Sequence, residues 1–260
     1  MALLTSARRV LLQDAEASRV SSRTAWVMFG VPFVLGAVLV ASLAYEPLFV
    51  FLTAEDSVLE WAQFACFALA FALAAVAASR LRREHRLLAV LMALFALGAL
   101  FSAREEVSWG QRIFGFGTPE ELDEVNHQGE TNLHNITAVP VQKTFNLLQL
   151  LAGFYGSVFA IAVRARWRSR PFGVDLLLPA LVLAPAFLLM FLYRLLRLTV
   201  LTDTRFVLVK FGELPELTFA AGLAGFAFIA MRRSRSAPAQ PQDGAPPPLR
   251  VVPSSTPDAT

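Results

Sequence analysis

Three ionisable side chains in one polar stretch of this sequence have the types needed for acid–base or metal chemistry. Glu105 and Glu106 are adjacent, and His134 follows in the same stretch. A carboxylate or a neutral imidazole can exchange a proton with a substrate, and both bind zinc and similar divalent ions. We therefore predict Glu105, Glu106 and His134 as candidate catalytic residues. Candidate metal ligands beside the apolar stretches are Glu60, Glu106, His134, Glu213 and Glu216.

The adjacent pair Glu105 and Glu106 has two interpretations. Neighbouring residues on a helix point about 100° apart, so one carboxylate faces the protein interior while the other pairs with Arg104 or Arg112. In the first interpretation, the inward carboxylate forms an acid–base site or holds a divalent metal ion together with His134, Glu60 and one of Glu213 or Glu216. In the second, the same groups are salt bridges that lock helix ends together. The sequence leaves both open.

Basic and amide side chains near these carboxylates supply candidate substrate-binding groups. Arg194 and Arg197 are three residues apart and therefore share a helix face, where two guanidinium groups could bind an anionic lipid or lipid-linked headgroup. Their alternative role is to reach the lipid phosphates at the membrane surface. The other candidate substrate-binding residues are Arg112, Asn132 and Asn135.

The composition places these groups in a membrane protein. Of the 260 residues, 56% are apolar and 17% are charged, against roughly 45–50% and 25% in soluble domains. Six apolar stretches approach the length of about 20 residues that a helix needs to cross a bilayer. The fifth contains Pro179 and Pro185, which should kink it. We predict an all-α, polytopic bundle of six transmembrane helices at residues 25–44, 58–78, 87–103, 145–163, 174–193 and 214–231.

The basic residues predict the orientation of this bundle. Sixteen of the 23 lysines and arginines lie in alternate segments, on the side that the positive-inside rule makes cytoplasmic. Both termini are then cytoplasmic, and loops 45–57, 104–143 and 194–212 are extracytoplasmic. Because topology explains the basic residues, we predict a lipid-bilayer partner and no nucleic acid. The single cysteine excludes a disulfide framework.

Two segments flank the predicted transmembrane domain, residues 24–235. Residues 1–23 form a cytoplasmic N-terminal segment, either an amphipathic helix on the inner leaflet or a disordered tail. Residues 236–260 contain seven of the 15 prolines and are predicted to be a disordered cytoplasmic tail. The first apolar stretch is longer than the roughly 7–15 residues of a signal-peptide core, so we expect it to be retained.

The polar loop 104–143 contains a distinctive motif. It reads Glu-Glu-Val-Ser-Trp-Gly-Gln-Arg-Ile-Phe-Gly over residues 105–115 and Glu-Thr-Asn-Leu-His-Asn over residues 130–135. This motif resembles one found in uncharacterised bacterial multi-pass membrane proteins. The resemblance implies a membrane protein with a polar loop, in a bacterial cytoplasmic membrane, and implies no activity.

Three functions fit these observations. The ionisable groups on one predicted face suggest an enzyme acting at the extracytoplasmic surface on a lipid or lipid-linked substrate. A non-catalytic role in envelope assembly or partner binding would also use the polar loop. The third and least favoured function is an ion-coupled transporter. It needs polar groups near mid-membrane, and the middles of the six stretches contain almost no ionisable residues.

Overall fold

The structure is a computed structural model that describes residues 2–54, 57–120, 124, 131–132, 139–167, 170–200 and 209–237. In these residues the chain is all-helical and contains no strand. Six helical segments are long and apolar enough to cross a membrane, which agrees with the predicted number. These candidate spans are Ser22–Ser42, Glu46–Leu81, Arg86–Glu106, Gln142–Arg166, Phe172–Thr199 and Glu213–Ser234.

Eleven α-helices make up the described part of the fold. They are α1 Ala2–Ala17, α2 Ser22–Ser42, α3 Glu46–Thr53, α4 Val58–Leu81, α5 Arg86–Glu106, α6 Gln111–Phe114, α7 Val139–Phe154, α8 Ala160–Arg166, α9 Phe172–Leu177, α10 Ala184–Thr199 and α11 Glu213–Ser234. A π-helical turn, Tyr155–Phe159, joins α7 to α8, and 3₁₀ turns occupy Ser108–Gly110 and Leu181–Leu183.

Several helices extend beyond the predicted apolar stretches. The third and sixth spans reach 21 and 22 residues because arginine and glutamate, which are good helix formers, continue the helix past its apolar part. The predicted loop 45–57 contains a short helix, α3. Pro47 stands in the first turn of α3, where a missing N–H costs nothing. Residues 238–260 of the predicted tail lie outside the described residues.

The core of the bundle is the packing of α4 against α5 and α11. Small side chains line this contact: Ala70 and Ala74 on α4, Ala96 on α5, and Ala224 and Ala227 on α11. Small residues let helix backbones approach closely, which is the usual way that helices associate in a bilayer. Helix α11 is the most buried of the six candidate spans and α2 the least.

A second close contact joins α7 and its π-helical turn to α10. At Gly153 an added Cβ would lie 2.8 Å from the backbone nitrogen of Phe191, and at Gly156 it would lie 2.2 Å from the ring of Phe187. Only glycine therefore allows this approach. The contact places the first turns of α7 beside the last turns of α10.

The predicted kink in the fifth span is confirmed as a complete break between α9 and α10. Its freed backbone groups bond to distant side chains. Arg164 donates from Nε to the Pro179 carbonyl and from Nη2 to the Leu178 carbonyl, both at 2.8 Å. The Leu181 N–H donates to Asp14 Oδ2 at 2.8 Å. Unpaired backbone groups are costly in an apolar interior, so these two side chains make the break possible.

The N-terminal helix α1 belongs to the bundle instead of forming a separate tail. Asp14 forms an ion pair with Arg164, and Ser18 accepts a hydrogen bond of 2.6 Å from Arg233 of α11. Asp175 of α9 lies 3.3 Å from the same Arg233 guanidinium group. We call this group of residues the arginine end of the bundle. Three arginines counted as marks of the cytoplasmic side, Arg164, Arg170 and Arg233, therefore also take part in buried or partly buried ion pairs.

Candidate functional site

A polar cavity of about 270 Å³ lies at the opposite end of the bundle, which we call the glutamate end. Its walls come from α4, α5, α6, α7, α10, α11 and the residues just before α11. Eight of the predicted site residues line it together: Glu60, Glu105, Glu106, Arg112, Arg194, Arg197, Glu213 and Glu216. The ionisable groups that the sequence placed beside separate apolar stretches therefore surround one space.

Helix ends bring these carboxylates to the cavity. Ser57 caps α4, and its Oγ accepts the backbone N–H of Glu60 at 3.5 Å, which sets Glu60 in the first turn. Glu106 is the last residue of α5. Glu213 and Glu216 occupy the first turn of α11, three residues apart on one face, where the helix dipole favours negative charge.

Two of the glutamates have arginine partners. Arg112 Nη1 lies 2.6 Å from Glu60 Oε2, and Arg194 Nη2 lies 2.6 Å from Glu216 Oε1. Arg194 also donates from Nε to the Gln149 side chain at 2.7 Å. The first pair ties the segment after α5 to α4, and the second ties α10 to α11. These contacts agree with the salt-bridge interpretation for Glu60 and Glu216.

Glu213 is held by weaker partners. Gln63 Nε2 donates to its Oε2 at 3.1 Å, and Lys210 Nζ lies 4.0 Å from its Oε1. The amide is uncharged and the lysine is at the limit of an ion pair. Glu213 therefore lacks a close guanidinium partner of the kind that Glu60 and Glu216 have.

Glu105 and Glu106 have different surroundings, as their angular separation predicts. Glu105 is buried, and its carboxylate accepts a hydrogen bond from the indole N–H of Trp109. Among the described residues, the Glu106 carboxylate accepts no hydrogen bond and forms no ion pair. Its electrostatic neighbours are Glu60, Glu213 and Glu216, together with the Arg112 guanidinium group. Glu106 thus stays available to a ligand.

An unusual turn after α5 returns the chain to the cavity. Ser108, Trp109 and Gly110 are three consecutive residues with positive φ angles of 46°, 55° and 94°. Non-glycine residues rarely adopt this region, and clusters of such strain occur at functional sites. The turn is held by a cation–π contact, with the Arg104 guanidinium carbon 5.4 Å from the centre of the Trp109 ring. It directs Arg112 back over Glu60.

Asn132 supports this turn instead of lining the cavity. Its side chain is buried, and Nδ2 donates to the Ser108 hydroxyl at 3.4 Å. Thr131 and Gln111 connect the same parts of the chain, since the Thr131 N–H donates to Gln111 Oε1 at 2.7 Å. The predicted substrate-binding role of Asn132 gains no support from this position. His134 and Asn135 lie outside the described residues.

The predicted metal site gains no support from the glutamates. In the part of the chain that the structure describes, no three His, Cys, Asp or Glu side chains are grouped so as to hold a metal ion. The glutamates therefore line one cavity, but those in the described residues do not meet at one point as metal ligands would. The contribution of His134 lies outside this finding.

Sequence reasoning missed polar groups on α7. Gln142, Asn146 and Gln149 line the cavity and follow the spacing of one helix face. This spacing was a usable signal, but Gln142 lies before the predicted apolar stretch that begins at residue 145. Tyr193 and Lys210 are further lining residues that the sequence did not single out.

Searches against family models, curated proteins and solved structures found no match to this chain.

Proposed function

We propose that this chain is a multi-pass membrane enzyme that acts on a lipid or lipid-linked substrate at the extracytoplasmic surface. Its six spans cross the membrane with both termini in the cytoplasm, in a bacterial cytoplasmic membrane. In this proposal Glu106 exchanges a proton with the substrate, while Arg194 and Arg197 bind an anionic headgroup. The observation that carries it is the Glu106 carboxylate, which lines a polar cavity without a partner among the described residues.

Exposed apolar surface supports the membrane part of the proposal. On α5, Leu87, Val90, Leu94 and Leu97 are all at least half exposed. An apolar face of this length in water would be an aggregation hazard, whereas lipid tails solvate it. The arginine distribution supports the proposed orientation, because 16 of the 23 basic residues lie in alternate segments on one side of the six spans.

The position of the cavity supports a surface reaction. It lies where α4 and α11 begin and where α5 and α10 end. In the proposed topology these helix ends lie at the depth of the lipid headgroups. Phe67 and Phe145 also line it, which gives it an apolar part beside the polar one. The polar wall suits the headgroup of a lipid, and the apolar wall suits the part of the lipid that adjoins the headgroup.

Lipid profiles test this proposal. We would compare lipid extracts by mass spectrometry from cells that lack the protein and cells complemented with the wild type, Glu106→Gln or Glu46→Gln. Glu46 is an exposed glutamate outside the cavity and is therefore a matched control. We expect at least one lipid species to change on deletion and to be restored by the wild type and Glu46→Gln but not by Glu106→Gln.

Two outcomes would overturn the proposal. Restoration by Glu106→Gln, with the variant present in the membrane at wild-type level, removes the acid–base role. Identical lipid profiles with and without the protein would contradict the proposal that the chain is a lipid enzyme. In the second case, crosslinking that recovers one stoichiometric protein partner would favour the non-catalytic assembly role.

A further inference from the structure

The two sides of the cavity carry opposite charges, and this separation limits what the cavity can bind. Carboxylates come from α4, α5 and α11, with Glu60, Glu106 and Glu213. The guanidinium groups of Arg194 and Arg197 come from α10, beside amide side chains of α7. The acidic side also contains Arg112, 2.6 Å from Glu60, and Lys210, 4.0 Å from Glu213. The basic side also contains Glu216, 2.6 Å from Arg194.

The acidic side has a surplus of acceptors. Glu60 is paired with Arg112, but the Glu106 carboxylate has no partner among the described residues. Glu213 accepts a hydrogen bond from the neutral Gln63 amide, and Lys210 lies 4.0 Å away, at the limit of an ion pair. A group that donates more than one hydrogen bond can satisfy both carboxylates, and a positive charge on that group would offset the repulsion that Glu60 and Glu213 exert on Glu106. A primary ammonium group does this with three N–H donors, whereas a quaternary ammonium group has none.

The basic side has a surplus donor. Arg194 uses Nε for Gln149 and Nη2 for Glu216, while Nη1 donates to no described residue. Arg197 lies three residues further along the same face of α10 and also lines the cavity. Guanidinium groups bind phosphate oxygens through charge-assisted hydrogen bonds, so this side suits a phosphate.

The size of the cavity restricts the ligand further. About 270 Å³ is just below the roughly 300–1,000 Å³ of sites that enclose a drug-sized molecule. It holds a headgroup and leaves no room for acyl chains. If the ligand is a lipid, its chains must therefore lie outside the cavity.

We infer that this cavity binds a zwitterionic amino-phosphate group, with its ammonium at Glu106 and Glu213 and its phosphate at Arg194 and Arg197. The inference rests on the proposed function and names its substrate class. Phosphoethanolamine has this chemistry, either as the headgroup of phosphatidylethanolamine or as a soluble glycerophosphodiester.

Lipid retention tests the inference. We would reconstitute the full chain in phosphatidylcholine nanodiscs containing equal minor fractions of phosphatidylethanolamine and phosphatidylglycerol and measure retained lipid by native mass spectrometry. Phosphatidylcholine keeps the phosphate and positive charge but has no N–H donor. We expect phosphatidylethanolamine to be enriched about tenfold over both other lipids, the effect of one charge-assisted hydrogen bond.

Two variants test the acidic and basic sides of the cavity separately. Glu106→Gln should remove the preference for phosphatidylethanolamine over phosphatidylcholine, whereas Arg197→Gln should weaken retention of all three lipids. Glu46→Gln is the control and should behave as the wild type. Helical content by circular dichroism identifies a variant that fails to fold. For such a variant, competition on the wild type by glycerophosphoethanolamine against glycerophosphocholine replaces the comparison.

The outcomes separate this inference from the proposed function. Displacement of bound lipid by glycerophosphoethanolamine supports a soluble source, and its failure alongside selective phosphatidylethanolamine retention supports a lipid source. Retention of the three lipids by the wild type in proportion to their abundance in the nanodisc overturns the amino-phosphate inference, even if the lipid profiles still show a reaction that needs Glu106. Selective retention of phosphatidylethanolamine without any change in lipid profiles contradicts the proposed enzyme activity but supports the inferred binding site.

Discussion

Asp14 and Arg164 form a buried ion pair although 150 residues separate them in the chain. Their side chains are only 7% and 1% exposed. Each also satisfies backbone groups at the break between α9 and α10, the Leu181 N–H for Asp14 and two carbonyl groups for Arg164. One ion pair thus connects α1, α8 and the break.

We predict that Asp14→Asn destabilises the protein strongly, because it leaves the Arg164 charge buried without its main counterion. Breaking one partner of a buried pair typically costs about 3–5 kcal/mol. Thermal unfolding of the purified protein in detergent measures the loss. Glu16→Gln is the matched control, since Glu16 is exposed on the same helix. Equal melting temperatures for the two variants would contradict the structural role of the pair.

The contact between α7 and α10 gives a second prediction. Gly156→Ala should destabilise the bundle by about 1–3 kcal/mol, since the new methyl group would overlap the base of the Phe187 ring. Gly98→Ala is the control, because nothing lies within 4 Å of an added Cβ there. That control should be neutral or slightly stabilising, as helix propensity favours alanine. Detergent unfolding curves compare them, and a stable Gly156→Ala protein would show that the helices are further apart.

The ion pair of Glu60 with Arg112 can be measured by a double-mutant cycle. We expect Glu60→Gln and Arg112→Gln each to lower stability and the double variant to lose less than their sum. A coupling free energy of about 0.5–3 kcal/mol is typical of groups in direct contact. Additive effects would mean that the two side chains do not interact, and that the segment after α5 is not fixed to α4.

Cysteine labelling tests the proposed orientation. Replacing Cys66, the single cysteine, by alanine gives a background without thiols. Glu120→Cys should then react with a membrane-impermeant maleimide on intact cells, whereas Glu84→Cys should react only after permeabilisation. Both positions are exposed, so accessibility to the reagent depends on the side of the membrane. The opposite labelling pattern would reverse the topology and move the cavity to the cytoplasmic side.

The described fold was predictable to the extent that it depends on apolar length. Uninterrupted apolar stretches and the pair Pro179 and Pro185 are local features, and they correctly indicated six candidate spans and the break in the fifth. Helix α3 was missed because its eight residues, which begin at Glu46, are too few to cross a bilayer alone. The partners of Asp14 were also missed, because an acidic residue in a polar segment is usually solvated.

The sequence by itself determined the all-helical class, the candidate spans and which ionisable residues lie near span ends, since these follow from hydropathy and helix geometry along the chain. Only the tertiary structure decided that Glu60, Glu106, Arg194 and Glu213 share one cavity, and that Arg112 neutralises Glu60 while Glu106 has no partner in the described residues. The physical reason is that charges pair according to their distance in space. That distance is set by helix packing, through contacts such as those of the alanines of α4 and of the glycines of α7 and its π-helical turn.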